Sequence, residues 1–124
     1  MASQSYRNLV VWQKAMGLVG DVYKIANKLP DIEKFALADQ IRRSAVSIPS
    51  NIAEGQKRNG KLEFVHFCGI ALGSLAELET QLILTEQLYG FEVEKELQIC
   101  DEVTKMHTGL IKSLRTKNYE LRTA

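Results

Sequence analysis

The sequence contains few of the residues that mark secreted, membrane or metal-binding proteins. It has two cysteines, Cys68 and Cys100, and they lack the spacing of metal ligands. Both lie within apolar helical segments, which favours reduced, buried thiols. No run approaches the roughly 18 apolar residues of a membrane span, and the first residues do not resemble a signal peptide. We therefore expect a cytoplasmic protein.

The motifs of common catalytic sites are also missing. There is no Gly-x-Ser-x-Gly nucleophile turn, no glycine-rich phosphate loop after a strand, and no histidine suitably spaced from a cysteine. Glu63 and His66 have the Glu-x-x-His spacing of di-iron bundles, but such sites need a second motif. The other histidine, His107, has Thr104 three residues before it. We expect no catalytic residue, no cofactor and no metal, and hence no enzyme.

Strand signals are absent too, and what remains is helical periodicity. The only Asn-Gly pair, Asn59-Gly60, lies between two helical segments and joins no alternating strands. Apolar residues recurring every three or four positions predict four helices, at about 6–29, 32–56, 61–89 and 92–117. We expect the tail, 118–124, to fray. Short connections make neighbouring helices antiparallel, so the prediction is a single all-α domain, 1–124, folded as an up-down-up-down four-helix bundle.

Turn residues separate the four segments. Pro30 ends the first helix, since the residue before a proline avoids helical geometry, and Asp31 is expected to cap the second. Residues 55–60 are expected to form the next turn, and Gly90 to end the third helix in the left-handed conformation. Pro49 lies inside the second helix, where we expect a kink, with Ser44 and Ser47 satisfying the freed carbonyls.

Each helix has a face that we expect to be buried. These faces comprise Leu9, Trp12, Met16, Val19, Tyr23 and Ala26; Leu37, Ile41, Ala45, Ile48 and Ile52; Phe64, Phe67, Ala71, Leu75, Leu78, Leu82 and Leu88; and Val93, Leu97, Cys100, Val103, Leu110 and Leu114.

The third helix is apolar over more of its circumference than a bundle core requires. A second strip adds Val65, Leu72, Ala76 and Ile83, and we expect part of this surplus to meet another subunit. Gly69 and Gly73 form a small-x-x-x-small pattern, which favours close approach of another helix.

A net charge of +1 conceals a strongly uneven distribution of charge. Residues 40–61 contain five bases and one acid, a net +4; residues 77–102 contain eight acids and one base, a net −7; and residues 103–124 again have a net +4. In an antiparallel bundle the bases gather at one end and the acids at the other. Part of this follows from the fourth helix alone, whose dipole favours acids first and bases last. That does not explain Lys57, Arg58 and Lys61 in one turn.

Two adjacent arginines, Arg42 and Arg43, have more than one possible role. For Arg43 we expect an ion pair with Glu77 or Glu79, which lie at a similar height on the neighbouring helix. A partly buried pair of this kind confers specificity more than stability. For Arg42 the sequence allows two roles, a structural one and phosphate binding.

One long block of sequence resembles a known family. Residues 9–15, LVVWQKA, and residues 40–55, QIRRSAVSIPSNIAEG, are similar to the bacterial four-helix bundle proteins encoded in intervening sequences of 23S ribosomal RNA genes. Glu63-Phe64 and residues 70–79, IALGSLAELE, continue the match, which extends from about Tyr6 to Leu114. The label "ribosomal" in this family reflects gene location.

The resemblance implies a non-catalytic bundle that assembles as a ring-like homopentamer. The family is also similar to the accessory variability determinant of diversity-generating retroelements, a basic pentamer that associates with a reverse transcriptase and nucleic acid. This chain departs from it in its near-neutral charge. A ring would nevertheless place the basic turns on one rim, which would hold RNA or DNA through phosphates. The alternative is a protein–protein interaction module with no nucleic-acid role.

These considerations select two sets of residues. The expected nucleic-acid contacts are Lys57, Arg58, Lys61, Arg42, Arg115 and Lys117; the expected structural or interface residues are Arg43, Pro49, Glu77, Glu79, Gly69 and Gly73.

Overall fold

The computed structural model describes residues 5–123, with side chains as far as Thr116. Within this range the chain forms four helices and no strand: α1 (Val10–Lys28), α2 (Leu37–Lys57), α3 (Lys61–Tyr89) and α4 (Glu94–Thr123). Two 3₁₀ turns, Tyr6–Asn8 and Asp31–Glu33, precede α1 and α2. The predicted all-α four-helix bundle is confirmed. α4 continues beyond Lys117, where the sequence prediction ended it, and the fraying predicted for 118–124 stays a prediction.

Contacts between helices define their directions. Ser44 of α2 bonds to Gln81 of α3 at 2.8 Å, and Ser47 bonds to Ser74 at 2.7 Å. These two pairs show that α2 and α3 are antiparallel. The same holds for α1 and α4, where Lys14 pairs with Glu102 at 2.8 Å and Asp21 with Lys95 at 3.6 Å. Each helix packs against its neighbour in sequence, and α1 closes against α4.

Turn geometry fixes most helix ends. Gly90 ends α3 in the left-handed conformation, with φ of 72°, as predicted, and Gly60 precedes α3 with φ of 108°. The start of α2 differs from the prediction. Asp31 begins a 3₁₀ turn instead of capping α2, and Glu33 caps α2 by accepting a 3.1 Å hydrogen bond from the Leu37 N–H.

The core contains the predicted face of α2 in full. Leu37, Ile41, Ala45, Ile48 and Ile52 are all buried. Most of the α3 face is buried as well, but Leu88 is 61% exposed, because it lies on the last turn of α3, beyond the core position taken by Thr85. That part of the prediction was wrong.

The buried face of α1 is also shifted from the predicted one. The core takes the neighbouring stripe, whose members are Val11, Ala15, Leu18, Val22, Ile25 and Ala26. Met16 and Tyr23, which were predicted to be buried, are 46% and 38% exposed. α1 has two adjacent apolar stripes, and the small side chain of Ala15 lets that face approach the core closely.

α2 remains helical through Pro49, which is buried. We expected the hydroxyls of Ser44 and Ser47 to bond to the carbonyls that Pro49 leaves without a donor, but their hydrogen bonds go elsewhere. Ser44 and Ser47 bond across to α3, while the Asn51 amide donates to the Ser47 carbonyl at 2.8 Å. The kink at Pro49 stays a prediction.

Gly55 lies inside α2 instead of starting the turn. A Cβ at this position would lie 2.6 Å from Phe67 Cβ, so the glycine allows α2 and α3 to approach closely. The predicted close approach at Gly69 and Gly73 is not found within the described chain, because no atom lies within 4 Å of a Cβ built at either glycine.

Candidate nucleic-acid interface

The end of α2, the start of α3 and the end of α4 meet at one end of the bundle. Val65 in the second turn of α3 and Arg115 near the end of α4 line the same groove, which places Lys61 about one turn from Arg115. The name basic pole is used here for the cations that these three segments bring to this end: Lys57, Arg58, Lys61, Lys112 and Arg115. The topology thus brings the predicted basic turn next to the last described turns of α4. Lys117 lies outside the described side chains.

Arg58 is neutralised within the chain. Its guanidinium pairs with Glu54 at 2.7 Å and with Glu63 at 4.0 Å, and lies 5.0 Å from the centre of the Phe67 ring. Glu63 therefore lies within ion-pair distance of an arginine. The predicted contact through Arg58 is weakened accordingly.

The other four cations of the basic pole belong to no ion pair among the described side chains. Lys57, Lys112 and Arg115 are exposed, and Lys61 is half-buried. Long cationic side chains in this state are available to phosphate oxygens.

Arg42 lies away from the basic pole. It donates a 2.9 Å hydrogen bond to Asn27 of α1, and its guanidinium lies 5.7 Å from the centre of the Tyr23 ring. Fifteen residues of helix, or about 22 Å, separate it from Lys57. It does not join the cluster, and its described contacts hold α2 against α1.

The prediction for Arg43 was wrong. Its Nε pairs with Asp39 at 3.0 Å, one turn earlier on α2, and not with Glu77 or Glu79. An acid on the same helix face is within reach without bridging two helices. Glu77 is exposed, and burial, together with the charge of Asp101, raises the pKa of Glu79.

An open groove of about 460 Å³ runs between α3 and α4 beside the basic pole. Val65, Gly69 and Leu72 form its α3 side. The α4 side contains Thr108, Ile111, Lys112, Arg115 and Thr116. Its floor is apolar and its edge is cationic. Gly69 therefore lines an open apolar groove in the single chain.

A second, smaller apolar pocket of about 280 Å³ lies between α1 and α2. Its lining comprises Tyr6, Trp12, Met16, Val19, Val46, Pro49 and Ser50. Since α1 packs on α2 and α3 on α4, the two surfaces lie on opposite sides of the bundle. The exposed Val46 and the half-buried Ile111 were not predicted as parts of these surfaces; their only signal was a position just outside the predicted core stripes.

The remaining reactive side chains are isolated from one another. Burial raises the pKa of Cys68 to about 11; burial and the charges of Glu79 and Glu96 raise that of Cys100 to about 12. Both thiols are free and buried, as predicted. Burial also lowers the pKa of His107, whose Nδ1 donates to the Val103 carbonyl at 3.0 Å. No three His, Cys, Asp or Glu side chains within the described range lie close enough to hold a metal.

By length and composition, α3 is one helix that could cross a membrane, but the core helices of soluble proteins share these two properties. Here α3 packs on α2 and α4 and buries Cys68, Ala71, Leu75 and Leu78.

Comparison with known proteins agrees with this architecture. Residues 7–112 match the profile of the 23S rRNA-intervening sequence proteins. The fold is similar to a crystal structure from Bacteroides thetaiotaomicron, described as a protein with unknown function from the S23 ribosomal protein family. The two share 26% identity and a TM-score of 0.74, over 83% of this chain and 99% of the other. No curated protein matches the chain. Neither description names a reaction.

Proposed function

This chain belongs to the 23S rRNA-intervening sequence protein family, and from that premise we propose that it is a non-catalytic scaffold that assembles into a pentameric ring and binds RNA or DNA through the basic pole. The observation that supports this most directly is the gathering of Lys57, Lys61, Lys112 and Arg115 at one end without internal ion pairs among the described residues.

Assembly is supported by the two apolar surfaces. A ring needs two different contact surfaces on each copy, because its interfaces are heterologous. The α1–α2 pocket and the α3–α4 groove lie on opposite sides of the bundle, and both lie in the half nearer the basic pole. Parallel copies side by side would bring the pocket of one level with the groove of the next.

Such a ring would place all basic poles on one rim. Each copy contributes the cations of the basic pole there, against Glu54 and Glu63. Repetition around the ring would compensate for the small net charge of a single chain. Contacts of this kind bind phosphates and do not select a sequence.

The nucleic-acid part of the proposal is tested by two triple variants with the same change in net charge. Lys57→Gln/Lys61→Gln/Arg115→Gln removes charge at the basic pole, and Lys24→Gln/Lys28→Gln/Lys34→Gln removes it elsewhere. Binding of labelled single-stranded RNA and duplex DNA is followed by fluorescence anisotropy across a salt series. The binding constant falls as salt rises, and the first variant is expected to make this slope of log K against log salt shallower by about 0.7–0.9 per lost phosphate contact. The second variant is expected to resemble wild type. Equal behaviour of the two variants would contradict the proposal.

The assembly part is tested by light scattering. Gly69→Glu places a charge in the groove without an internal clash, because nothing lies within 4 Å of the added Cβ. Gly20→Glu is the matched control, since Gly20 on α1 is equally open. We expect wild type and the control to have the mass of a pentamer and Gly69→Glu to dissociate. A monomeric wild-type protein would refute the ring.

The alternative, a protein–protein interaction module without nucleic acid, is favoured by the internal neutralisation of Arg58. It predicts no nucleic-acid binding even at low salt, so the same anisotropy measurements separate the two functions.

A further inference from the structure

Two large apolar side chains project from the turn between α1 and α2. Ile32 is 83% exposed and Phe35 is 87% exposed, the highest values for large apolar residues among the described side chains. Aromatic and aliphatic side chains exposed together in this way mark surfaces that another molecule covers. These two residues are called here the apolar knob.

The turn that presents the apolar knob is rigidly held. Backbone N–H groups of Glu33, Lys34 and Ala36 donate to carbonyls three residues earlier, at 2.8, 3.0 and 3.0 Å. The Glu33 carboxylate accepts bonds from the Leu37 N–H and the Tyr89 hydroxyl. Because the turn is already ordered, binding through the knob would lose little conformational entropy.

An acidic surface adjoins the turn. Tyr89, which bonds to Glu33, is followed by the connection from α3 to α4, where an open cleft of about 740 Å³ is lined by Glu86, Glu92, Glu94 and Glu96. The one cation lining this cleft, Lys95, pairs with Asp21 at 3.6 Å. Among the described side chains no other cation lines this acidic cleft, so it presents negative charge at the same end of the bundle as the apolar knob.

We propose that the apolar knob and the acidic cleft form a docking surface for a cationic amphipathic helix of a second protein. Such a helix has apolar residues at three- and four-residue spacing and lysines or arginines beside them. Its apolar stripe would cover Ile32 and Phe35, and its cations would meet the glutamates. Lys34 Nζ lies 5.5 Å from the centre of the Phe35 ring, a cation–π contact within the turn itself.

A head-to-head pair of copies is disfavoured, because two acidic ends brought together would repel each other. The proposal goes beyond the proposed function, because this surface lies at the opposite end from the basic pole. The scaffold would then join a nucleic acid at one end to a basic protein at the other.

The test uses a fluorescein-labelled leucine–lysine peptide with leucines at helical spacing, titrated with the full chain. The controls are a scrambled peptide of the same composition and a leucine–glutamate peptide of the same pattern. The main variant is Ile32→Ser/Phe35→Ser, which leaves the core intact. Val10→Ser is the matched control, because Val10 is also exposed, at 58%, but lies at the other end of the bundle. Circular dichroism verifies that each variant is folded.

We expect the double variant to lose at least about tenfold in affinity, and Val10→Ser to bind as wild type. Glu92→Gln/Glu94→Gln is expected to weaken binding mainly at low salt. Equal binding by wild type and the double variant would overturn the proposal, as would equal binding of the scrambled peptide. A change in assembly mass caused by the double variant would also overturn it, since the knob would then be a contact between copies. These outcomes need no nucleic acid and are independent of the test of the basic pole.

Discussion

Tyr89, the last residue of α3, donates a hydrogen bond from its phenol to the carboxylate of Glu33, 56 residues earlier in the chain. The other carboxylate oxygen caps α2 through the Leu37 N–H. The Glu33 side chain thus joins the α1–α2 turn, the start of α2 and the end of α3.

Tyr89→Phe is expected to lower the free energy of unfolding, because a hydrogen bond to a charged acceptor is lost. Urea denaturation measures the change. Tyr23→Phe is the control, since the described contact of Tyr23 is through its ring. The bond to Glu33 raises the pKa of Tyr89, so its contribution is present below the ordinary value of 10.0 and is lost as pH rises through the higher folded value. Equal stability of the two variants would show that the bond contributes nothing.

Gly55→Ala is expected to destabilise the protein by about 1–3 kcal/mol, because the added methyl group would lie 2.6 Å from Phe67 Cβ and overpack the α2–α3 contact. Gly17→Ala, on α1 with nothing within 4 Å, is expected to stabilise by up to about 1 kcal/mol through helix propensity. Urea midpoints at matched protein concentration compare the two variants. A stabilised Gly55→Ala protein would contradict the packing described above.

Stability is expected to fall under mildly acidic conditions because of His107. The ring is fully buried, its Nε2 has no hydrogen-bond partner among the described residues, and burial lowers the pKa of His107 below the ordinary 6.5. The unfolded chain therefore binds a proton before the folded chain does. The stability gained by keeping His107 neutral is fully present above pH 6.5. Below that pH it declines by up to about 1.4 kcal/mol per pH unit, until the pKa of His107 in the folded chain is reached.

Urea titrations at several pH values test this dependence on His107. His107→Gln should flatten the pH profile in that window, even if its stability at neutral pH differs. His66→Gln, at the exposed histidine, should leave the profile as in wild type. An unchanged profile in His107→Gln would assign the acid sensitivity to other groups.

Cys68 and Cys100 are expected to resist thiol reagents in the folded protein. Their raised pKa values, about 11 and about 12, leave roughly one thiol in ten thousand or fewer ionised at neutral pH, and both are fully buried. Mass spectrometry after brief alkylation should find no adduct on the native chain and two in urea. A native adduct on either cysteine would reveal local opening of its helix.

The parts of the fold that follow from a single unambiguous pattern were predictable. α2 has one apolar stripe, and Ile41, Ala45 and Ile48 proved buried as predicted. α1 has two adjacent stripes of comparable hydrophobicity, and the choice between them depends on side-chain volume. Ala15 fits against the core, whereas Met16 lies at its edge, and periodicity does not distinguish these cases.

The candidate site was predictable in its location but not in its detail. Antiparallel topology alone places Lys57 and Lys61 near Arg115. The neutralisation of Arg58 by Glu54, and the pairing of Arg43 with Asp39, depend on how far individual side chains reach. The contact between Glu33 and Tyr89 joins distant segments, so no local pattern indicated the rigid turn.

The connectivity of the bundle also bears on how quickly the chain folds. Three of its four interfaces join helices adjacent in sequence, and only α1 against α4 joins distant segments, through Lys14–Glu102 and Asp21–Lys95 on the surface. The mean sequence separation of native contacts is therefore low for each pair of helices that follow one another in the chain. Helical bundles with such local contacts fold in about microseconds to milliseconds. We predict that the closing of α1 onto α4 is the late event in folding, so that substitutions confined to this interface change the unfolding rate more than the folding rate.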